Sequence, residues 1–545
     1  MTHSIDPPAG SVPPDRSSRR TTLRLPIRSA VVALFALLGS GTLLAAPEVV
    51  SPAPGERLSG TSETFVWSAD GRDVTAWFLN LGSSPGSRDI ASSGRLTGRT
   101  SLTIDGLPRD GSDVHARLFA YADGGWSVSN TRYVAASATP GNDDPPPAYR
   151  PLVLGRDATP PSTAWTRPQL GVTDEDPVHA TPVRRVTDAD GTRFDRNTYS
   201  RRQAENANGS RFLTYHGTSL YRVYERRSLA LVRELGIHPD SEPQWHPSDP
   251  DVIRHVRGSD ASSGDLRLYE TRVGNGKTRV IADLTDRLRA VYPTATHMKD
   301  KAEGSPSADG DHYAWIVFDR ANAPLGIVSY DLGNDRVLGT RRPRRDAGAL
   351  DWVSASPSGR HVMGGYATAT VVYDRDLGNA RRVNNKADHS DIAIDADGRD
   401  AYVYIDFSNN RDAGWLVSVD LATLQRTRLI DLYDGANTSL HVSGKAFDKP
   451  GWVLVSTYGC KVDGAWTCEK VMAVEMKDDP TIVNLAHTYN CDESAYWNDR
   501  KLDVYWTEPH AVVNRSFTRA YYNSDAGRCS TTGIEVYELS LPALP

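Results

Sequence analysis

Cysteine is scarce in this chain: its 545 residues include four, and no two of them have a Cys-x-x-Cys spacing. A zinc site built from thiolates is therefore not expected. Basic residues are not in excess either, because the net charge is −6, which argues against a nucleic-acid-binding protein. No Gly-x-Ser-x-Gly elbow leads into an α/β region, which excludes a serine peptidase of the α/β-hydrolase type. Beyond the N-terminus, no apolar run approaches the roughly 20 residues of a membrane-spanning helix.

The four cysteines suit an oxidising compartment. Cys460 and Cys468 flank the short segment KVDGAWT, so one disulfide would staple a hairpin at its base. Cys491 and Cys529 would then pair over a longer loop. Four cysteines allow three connectivities, and the sequence alone leaves all three open.

The N-terminus has the pattern of an export signal. RSSRRTTLRLPIR is a positively charged region, and SAVVALFALLGSGTLLA is a short apolar core that ends at Ala45. We therefore expect residues 1–45 to be a signal peptide and the mature chain to be secreted or periplasmic, with no membrane segment after cleavage. The stretch SRRTTLR also resembles a twin-arginine signal, with Thr22 where that signal prefers Phe. A single anchoring helix is the alternative interpretation.

Residues 47–136 have the pattern of a small β-sandwich. Short runs rich in Val, Thr, Phe and Trp, such as TFVWS and VTAWFLNLG, alternate with turns of Gly, Asp and Ser. The stretch resembles a fibronectin-III-like module of the kind appended to bacterial carbohydrate-active enzymes. It carries no catalytic motif, and we expect a spacer rather than a glycan-binding domain. The Pro-rich sequence ASATPGNDDPPPAYRP lies in a linker that we assign to residues 137–180.

Residues 181–545 repeat a polar turn followed by a β-rich run. The seven instances, about 40–65 residues apart, are RRQAENANGSRFLTY, EPQWHPSDPDVIRHV, EGSPSADGDHYAWIV, DWVSASPSGRHVMGG, HSDIAIDADGRDAYVYID, HVSGKAFDKPGWVLVSTY and HAVVNRSFTRAYYNS. This count and spacing predict an all-β fold, a seven-bladed propeller of four-stranded blades. PVRRVTD, near residue 185, would supply a strand that closes the ring against GIEVYELSL. A stack of flat sandwiches is the alternative, but it does not explain the shared pattern.

In a propeller the innermost strand of each blade lines the central channel, so residues at equivalent repeat positions form a ring. Every blade has a polar or charged group at that position: Arg201, Glu242, Glu303, Asp351, His389 or Asp391, His441 and His510. The last three blades each contribute a histidine. Imidazoles that converge from neighbouring blades, with carboxylates close by, suit a divalent metal. For any one of these histidines, the alternative is a turn residue bonded to backbone carbonyls.

The segments RNTYSRRQAENANGSRFL, EPQWHPSDPDVIRHV and EPHAVVNRSFTRAYYNSD resemble the corresponding blades of oligogalacturonate lyases. These are β-propeller polysaccharide lyases, and ulvan lyases share their architecture. The resemblance is scattered over about residues 183–540 and implies a His-rich metal site, normally manganese, with zinc or calcium as alternatives. In the last blade, a metal-ligand histidine of the family corresponds to His510. The resemblance therefore makes His510 the first ligand candidate, followed by His441 and His389.

The chain departs from this family in two middle blades. Where the family carries the histidine that acts as catalytic base, Glu303 stands here, and His297 lies six residues earlier. In the next blade, Asp351 and Trp352 stand where the family has another histidine. The metal site could therefore be rebuilt, and the substrate could differ from oligogalacturonate.

The resemblance implies β-elimination at a uronic acid of an anionic polysaccharide or oligosaccharide. This reaction needs neutralisation of the carboxylate, a base for the C5 proton and protonation of the leaving oxygen. The catalytic candidates are His297 as the first choice of base, His255 and Tyr199. Arginine binds carboxylates through a bidentate fork, and acidic groups bind sugar hydroxyls. The substrate-binding candidates are Arg201, Arg202, Glu242, Arg254, Glu303 and Asp351.

Two other functions stay open at this point. A seven-bladed ring could be a non-catalytic periplasmic glycan-binding or scaffold protein, since fold does not fix function. A glycoside hydrolase that uses two carboxylates, Glu242 with Glu303 or Asp351, is the second. In each case we expect a monomer without a nucleic-acid partner.

Overall fold

The structure is a computed structural model, and a part of the chain is described by it. The described residues are 47–56, 58, 62–69, 72–108, 111–122, 124–136, 152–189, 193–217, 220–258, 264–301, 303–385, 388–407, 412–433, 438–459, 464–491, 507–530 and 532–545. The predicted signal peptide, residues 1–45, lies outside these residues.

Residues 47–136 form two antiparallel sheets that face each other across an apolar core. The strands are β1 (Glu48–Ser51), β2 (Ser62–Ser68), β3 (Ala76–Gly82), β4 (Ala91–Ser92), β5 (Ser101–Asp105), β6 (Asp113–Ala122) and β7 (Gly125–Val134). One sheet has the order β1-β2-β5 and the other β4-β3-β6-β7. Buried residues alternate along β6, as expected of a strand with one face toward a core. This unit is a β-sandwich, and its relation to fibronectin-III modules stays a prediction.

The rest of the strands form a seven-bladed propeller, which confirms the predicted fold class. Three short strands come first: β8 (Val153–Leu154), β9 (Thr173–Glu175) and β10 (Pro182–Arg185). Blade 1 contains β11 (Asp195–Asn197), β12 (Arg211–His216), β13 (Leu220–Glu225) and β14 (Leu231–Leu235). Blade 2 contains β15 (Gln244–Trp245), β16 (Val252–His255), β17 (Arg267–Arg272) and β18 (Thr278–Asp283). Blade 3 contains β19 (His297–Lys299), β20 (His312–Phe318), β21 (Pro324–Asp331) and β22 (Arg336–Arg341).

Blades 4 to 7 continue the same order. Blade 4 contains β23 (Leu350–Ala355), β24 (His361–Tyr366), β25 (Ala369–Asp374) and β26 (Arg381–Asn384), and blade 5 contains β27 (Asp388–Ile394), β28 (Asp400–Ile405), β29 (Trp415–Asp420) and β30 (Arg426–Asp431). Blade 6 contains β31 (Ser439–Ser443), β32 (Trp452–Tyr458), β33 (Lys470–Glu475) and β34 (Ile482–His487). Blade 7 contains β35 (Val512–Val513), β36 (Arg519–Ser524) and β37 (Glu535–Ser540). Within each blade, consecutive strands pair antiparallel.

In the described part of the chain, two short helical segments interrupt the strands. They are a 3₁₀ turn, Pro239–Ser241, and α1, Thr285–Val291. Among the described residues, no helix has the length and apolar character needed to cross a membrane.

The ring is closed by a strand from the beginning of the propeller. β10 pairs antiparallel with β37, with Val183 opposite Leu539, so blade 7 takes its outer strand from the N-terminal side. This pairing is the one that the sequence PVRRVTD predicted. It supplies the fourth strand of a blade that would otherwise have three.

Part of the predicted linker, residues 137–180, is bound to the propeller. We refer to residues 152–180 as the strap. β8 extends blade 6 by pairing with β34, and β9 extends blade 7 by pairing with β10. Trp165 of the strap stacks on Tyr489 at 4.2 Å between ring centroids. The linker therefore does not run free of the propeller along its whole length. Its Pro-rich composition gave no indication of these edge-strand contacts.

Apolar clusters hold neighbouring blades together. The described residues form one such cluster at each of the seven blade boundaries. Between blades 4 and 5, for example, Trp352 and Met363 pack with Tyr402. Central strands such as β32 are buried along their full length, because each blade has a neighbour on both faces. Burial on both faces explains why the central strands have continuous apolar sequences.

The predicted disulfide between Cys491 and Cys529 is confirmed, with 4.9 Å between the Cα atoms. Cys468 is also in a disulfide. Its predicted partner, Cys460, lies outside the described residues.

Buried charges join the first and last blades. The Glu205 carboxylate of blade 1 accepts hydrogen bonds from Arg519 Nη2 at 2.9 Å and from the Tyr521 hydroxyl at 2.8 Å, both in blade 7. Arg226 of blade 1 lies 3.3 Å from Glu538 of blade 7. Burial opposes ionisation of Glu205, but the Arg519 charge outweighs it and lowers the pKa. For Glu538 burial dominates and raises the pKa.

Replacing Glu205 with Ala should destabilise the propeller strongly. The change leaves Arg519 buried without its carboxylate, which typically costs about 3–5 kcal/mol. Glu234→Ala is the matched control, because it removes an exposed ion pair with Arg222 and should cost less than about 1 kcal/mol. Urea unfolding followed by tryptophan fluorescence measures both. Equal midpoints for the two variants would contradict a role of this pair in closing the ring.

Candidate metal centre

Three histidines from neighbouring blades lie next to one another. His389 is in β27 of blade 5, His441 is in β31 of blade 6, and His510 precedes β35 of blade 7. Each lies in the innermost strand of its blade or just before it, so all three line the central channel. The ring centroids of His389 and His441 are 4.9 Å apart, and those of His441 and His510 are 4.3 Å apart.

Glu508 completes a compact group of ligand atoms. Its Oε2 lies 3.4 Å from His441 Nε2 and 3.3 Å from His510 Nε2. One ligand atom from each of His441, Glu508 and His510 lies within 4.8 Å of the others. The sequence analysis did not single out Glu508. Its signal was its place two residues before His510 in the segment EPHAVVN.

Burial keeps the imidazoles of this group neutral. His441 and His510 are each 1% exposed, and Glu508 is 8% exposed. Desolvation, followed by the neighbouring histidines and arginines, holds the pKa of His441 and of His510 well below the usual value. His441 Nδ1 has no hydrogen-bond partner within the described part of the chain. Neutral imidazoles beside one carboxylate are the donor set of a divalent metal site.

The backbone holds two of these histidines in an unfavourable conformation. His389 has φ of 49° and His510 has φ of 41°, in the left-handed region that residues other than glycine rarely adopt. Asn197 of blade 1 fixes His510 by donating from Nδ2 to its carbonyl oxygen at 2.8 Å. The Asn197 backbone N–H in turn donates to Asn523 Oδ1 at 2.7 Å. Strain of this kind persists where surrounding contacts impose it, and it is common at functional sites.

A loop from blade 1 fills the channel beside the histidines. The Tyr199 ring lies 5.1 Å from His510 and 5.7 Å from His441 between centroids. Arg201 reaches across the channel to Ser390 Oγ at 3.1 Å and to the Glu303 carboxylate at 3.0 Å. Arg201 is 2% exposed, so these partners, rather than solvent, surround its guanidinium.

Several predicted substrate-binding residues have protein partners. Glu242 Oε2 accepts the Asp300 backbone N–H at 2.6 Å, and Arg202 lies 3.4 Å from the Asp300 carboxylate. Asp351 is 60% exposed and pairs with Lys301 at 2.7 Å. Of these three candidates, Asp351 alone has a largely exposed side chain.

The structure places His255 and Arg254 on the strand β16, where their polar atoms are engaged. His255 Nδ1 lies 3.0 Å from the Val256 carbonyl, and Nε2 lies 2.9 Å from Thr271 Oγ1. Burial lowers the pKa of His255 to about 4. Arg254 pairs with Glu270 at 3.1 Å. Both ring nitrogens of His255 therefore have structural contacts, which leaves little capacity for proton transfer to a substrate.

His297, the first candidate for the base, is completely buried. Its ring stacks on Phe318 at 5.2 Å, and Nδ1 lies 2.9 Å from the Thr296 hydroxyl. A saccharide could reach this ring only by displacing packed side chains. Of the three catalytic candidates, Tyr199 is the one that the structure brings beside the histidine group.

The metal-free protein should lose stability in acid because of His441 and His510. Both rings are neutral in the folded state, whereas the unfolded chain protonates them below about pH 6.5. The unfolded state then binds more protons, so the free energy of unfolding falls as the pH drops. The slope reaches about 1.4 kcal/mol per pH unit for each histidine.

The variant His441→Gln/His510→Gln should show a shallower acid dependence than the wild type. Urea unfolding in EDTA, at pH values between about 7 and 5, measures the difference. Other buried histidines such as His255 are present in both proteins, so their contribution cancels in the comparison. Parallel stability curves would show that the two rings are not buried in neutral form.

Comparisons with known proteins found solved structures of low sequence identity. No family model matches the chain, and no curated protein matches it. An oligogalacturonate lyase from Vibrio parahaemolyticus is 14% identical, with a TM-score of 0.45, over 68% of this chain and 96% of that one. A chain of the Mitotic Checkpoint Complex is 12% identical (TM-score 0.40; 72% and 99% covered). The Cps50 (Swd1) β-propeller domain of Myceliophteria thermophila is 10% identical (TM-score 0.38; 63% and 97% covered). The propeller architecture follows from the sheet topology of the chain itself.

Proposed function

We propose that the protein is a polysaccharide lyase that cleaves a uronic-acid-containing polysaccharide or oligosaccharide by β-elimination. The observation that carries the proposal is the convergence of His441, Glu508 and His510 beside the Tyr199 ring. The resemblance of the last blade to oligogalacturonate lyases supports the same reaction.

The donor set fits a divalent transition metal. Two imidazoles and one carboxylate suit Mn²⁺ or Zn²⁺ better than Ca²⁺, which prefers a shell of oxygen atoms. His441, Glu508 and His510 would hold the ion, and His389 is the predicted further ligand. When bound, the cation would neutralise the uronate carboxylate and stabilise the charge that develops as the C5 proton leaves.

We assign proton transfer to the Tyr199 hydroxyl. Tyr199 is half-buried, and the Arg201 guanidinium lies 5.8 Å from its ring centroid; the base in this proposal is the phenolate form of Tyr199. The phenolate would take the C5 proton, the C5–H electrons would form the C4=C5 double bond, and the C4–O bond would break. The leaving oxygen would take up a proton, which the Tyr199 hydroxyl could return to it.

We assign contacts with sugar hydroxyls to Glu303 rather than to Arg201 and Arg202. The Glu303 side chain is 31% exposed, whereas that of Arg201 is 3% exposed and lies against Glu303. Arg202 is buried beside Asp300. Arg201 therefore positions Glu303 and the loop that carries Tyr199. A carboxylate at this place can accept hydrogen bonds from sugar hydroxyls.

One observation favours a non-catalytic alternative. Because His441 and His510 are each 1% exposed, a cation held there could serve only to join blades 6 and 7. The protein would then bind a glycan without cleaving it. The two functions differ in whether an unsaturated product forms.

Tyr199→Phe should lower kcat by about 10²–10⁴-fold, because general acid–base catalysis contributes a factor of that size. Bound metal should not change. The rate is followed by the ultraviolet absorbance of the unsaturated uronate product on pectate, ulvan and glucuronan. The control is Tyr433→Phe, which alters an exposed tyrosine outside the group. If the wild type gives no product on any uronate polymer, the binding alternative replaces the lyase proposal.

His510→Ala should lose one equivalent of bound metal relative to the wild type, together with the lyase activity. The reason is that the variant removes an imidazole ligand. Elemental analysis of the folded protein measures the loss, and His115→Ala, in β6 of the sandwich, is the control. A His510→Ala protein with the full metal content would contradict the assignment of this site.

A further inference from the structure

A second group of ligand-type side chains lies outside the channel. Asp176 and His179 belong to the strap, and His487 is the last residue of β34 in blade 6. They are 1%, 7% and 1% exposed, and one ligand atom from each lies within 4.8 Å of the others. The ring centroids of the two histidines are 4.7 Å apart. Neither the repeat pattern nor the channel geometry involves these residues.

The outer nitrogen of each ring faces a group that only accepts hydrogen bonds. His487 Nε2 lies 3.2 Å from the Thr159 carbonyl oxygen. His179 Nε2 lies 3.3 Å from Asp157 Oδ2. A neutral imidazole carries one N–H, so in His487 the Thr159 contact puts the hydrogen on Nε2 and leaves a lone pair on Nδ1. In His179 both ring nitrogens face carboxylates, those of Asp157 and Asp176.

Both histidines lie against the buried carboxylate of Asp176. His179 Nδ1 lies 3.1 Å from Asp176 Oδ1. His487 Nδ1 is buried and has no hydrogen-bond partner among the residues that the structure describes. A neutral His179 can donate to only one of its two carboxylates, so its other carboxylate contact lacks a hydrogen, and within the described residues His487 Nδ1 lacks a donor as well. A proton on His179 would relieve one contact and leave His487 Nδ1 without a partner, whereas one metal ion would satisfy all three groups.

The surrounding contacts are those of a metal site. Metal-bound histidines commonly donate their second N–H to a carboxylate or a backbone carbonyl, as Asp157 and Thr159 provide here. Asp176 is held in place by the backbone N–H groups of His179 at 2.7 Å and His487 at 3.0 Å. The ligands are thus oriented before any ion binds.

We propose that Asp176, His179 and His487 bind a structural Zn²⁺ that fastens the strap to blade 6. Two imidazoles and a carboxylate in a closed, buried site are typical zinc ligands. The strap carries β8 and β9, which extend blades 6 and 7, so the ion secures the edge strands next to the closing strand. This site is separate from the channel group and does not depend on the lyase proposal.

The test uses the full mature chain in a background that lacks the channel group, His441→Ala/His510→Ala. After EDTA treatment, added Zn²⁺ should bind at about one equivalent per chain and raise Tm, because a ligand of the folded state stabilises it. Adding His487→Gln to this background should abolish both effects. Adding His361→Gln, which removes a histidine paired with Asp400 in another blade, should abolish neither.

A measurement on the unmutated chain covers the case in which His487→Gln does not fold. Zn²⁺ should slow proteolytic cleavage within the strap of the EDTA-treated wild type, as read by mass spectrometry of the fragments. The proposal is overturned if zinc content and Tm are the same with and without His487→Gln. It is also overturned if zinc leaves cleavage of the strap unchanged, in which case a protonated His179 holds the group together.

Discussion

The pairing of β10 with β37 is the interaction on which the rest of the propeller depends. It gives blade 7 its fourth strand and so fixes the distance between the last blade and the first. Asn197 of blade 1 can then reach the carbonyl of His510 in blade 7. Without a closed ring, the inner strands of blades 5, 6 and 7 would have no common axis. Ring closure thus brings a residue of blade 1 against the group of His441, Glu508 and His510.

Buried charges make this closure specific. Glu535, fully buried in β37, is paired with Arg185 of β10 and with Arg528. Glu205 of blade 1 and Arg519 of blade 7 form a second buried pair, between the first and last blades. Buried pairs of this kind add less net stability than apolar packing, but a partner that is missing leaves an uncompensated charge. A ring closed in another register would leave several of these charges unmatched, so the native register is favoured over the alternatives.

Much of the fold could be predicted from the sequence, because the turn-and-strand pattern recurs seven times and each repeat is local. The same pattern predicted that His389, His441 and His510 meet, since it defines which end of each blade a residue occupies. It does not define which face of a strand a residue occupies, because a shift of one residue moves a side chain to the other face. The sequence therefore could not show that the side chains of His297 and His255 are buried. His297 packs against Phe318, and His255 contacts Thr271 of the strand β17.

The group of Asp176, His179 and His487 could not be predicted, because 308 residues separate the two histidines and no repeat relates them. The strap had the composition of a linker, and its partners are strand edges that lie far away in the chain.

The closing strand also has a consequence for synthesis of the chain. Arg185 and Glu535, which meet in the finished ring, are 350 residues apart. β10 therefore leaves the ribosome long before its partner exists, and its edge stays open for pairing with other chains during that time. Contacts of such long sequence separation form late, because loop closure must precede them. β37, which follows the other propeller strands in the chain, is thus the one that turns an open array of blades into a ring.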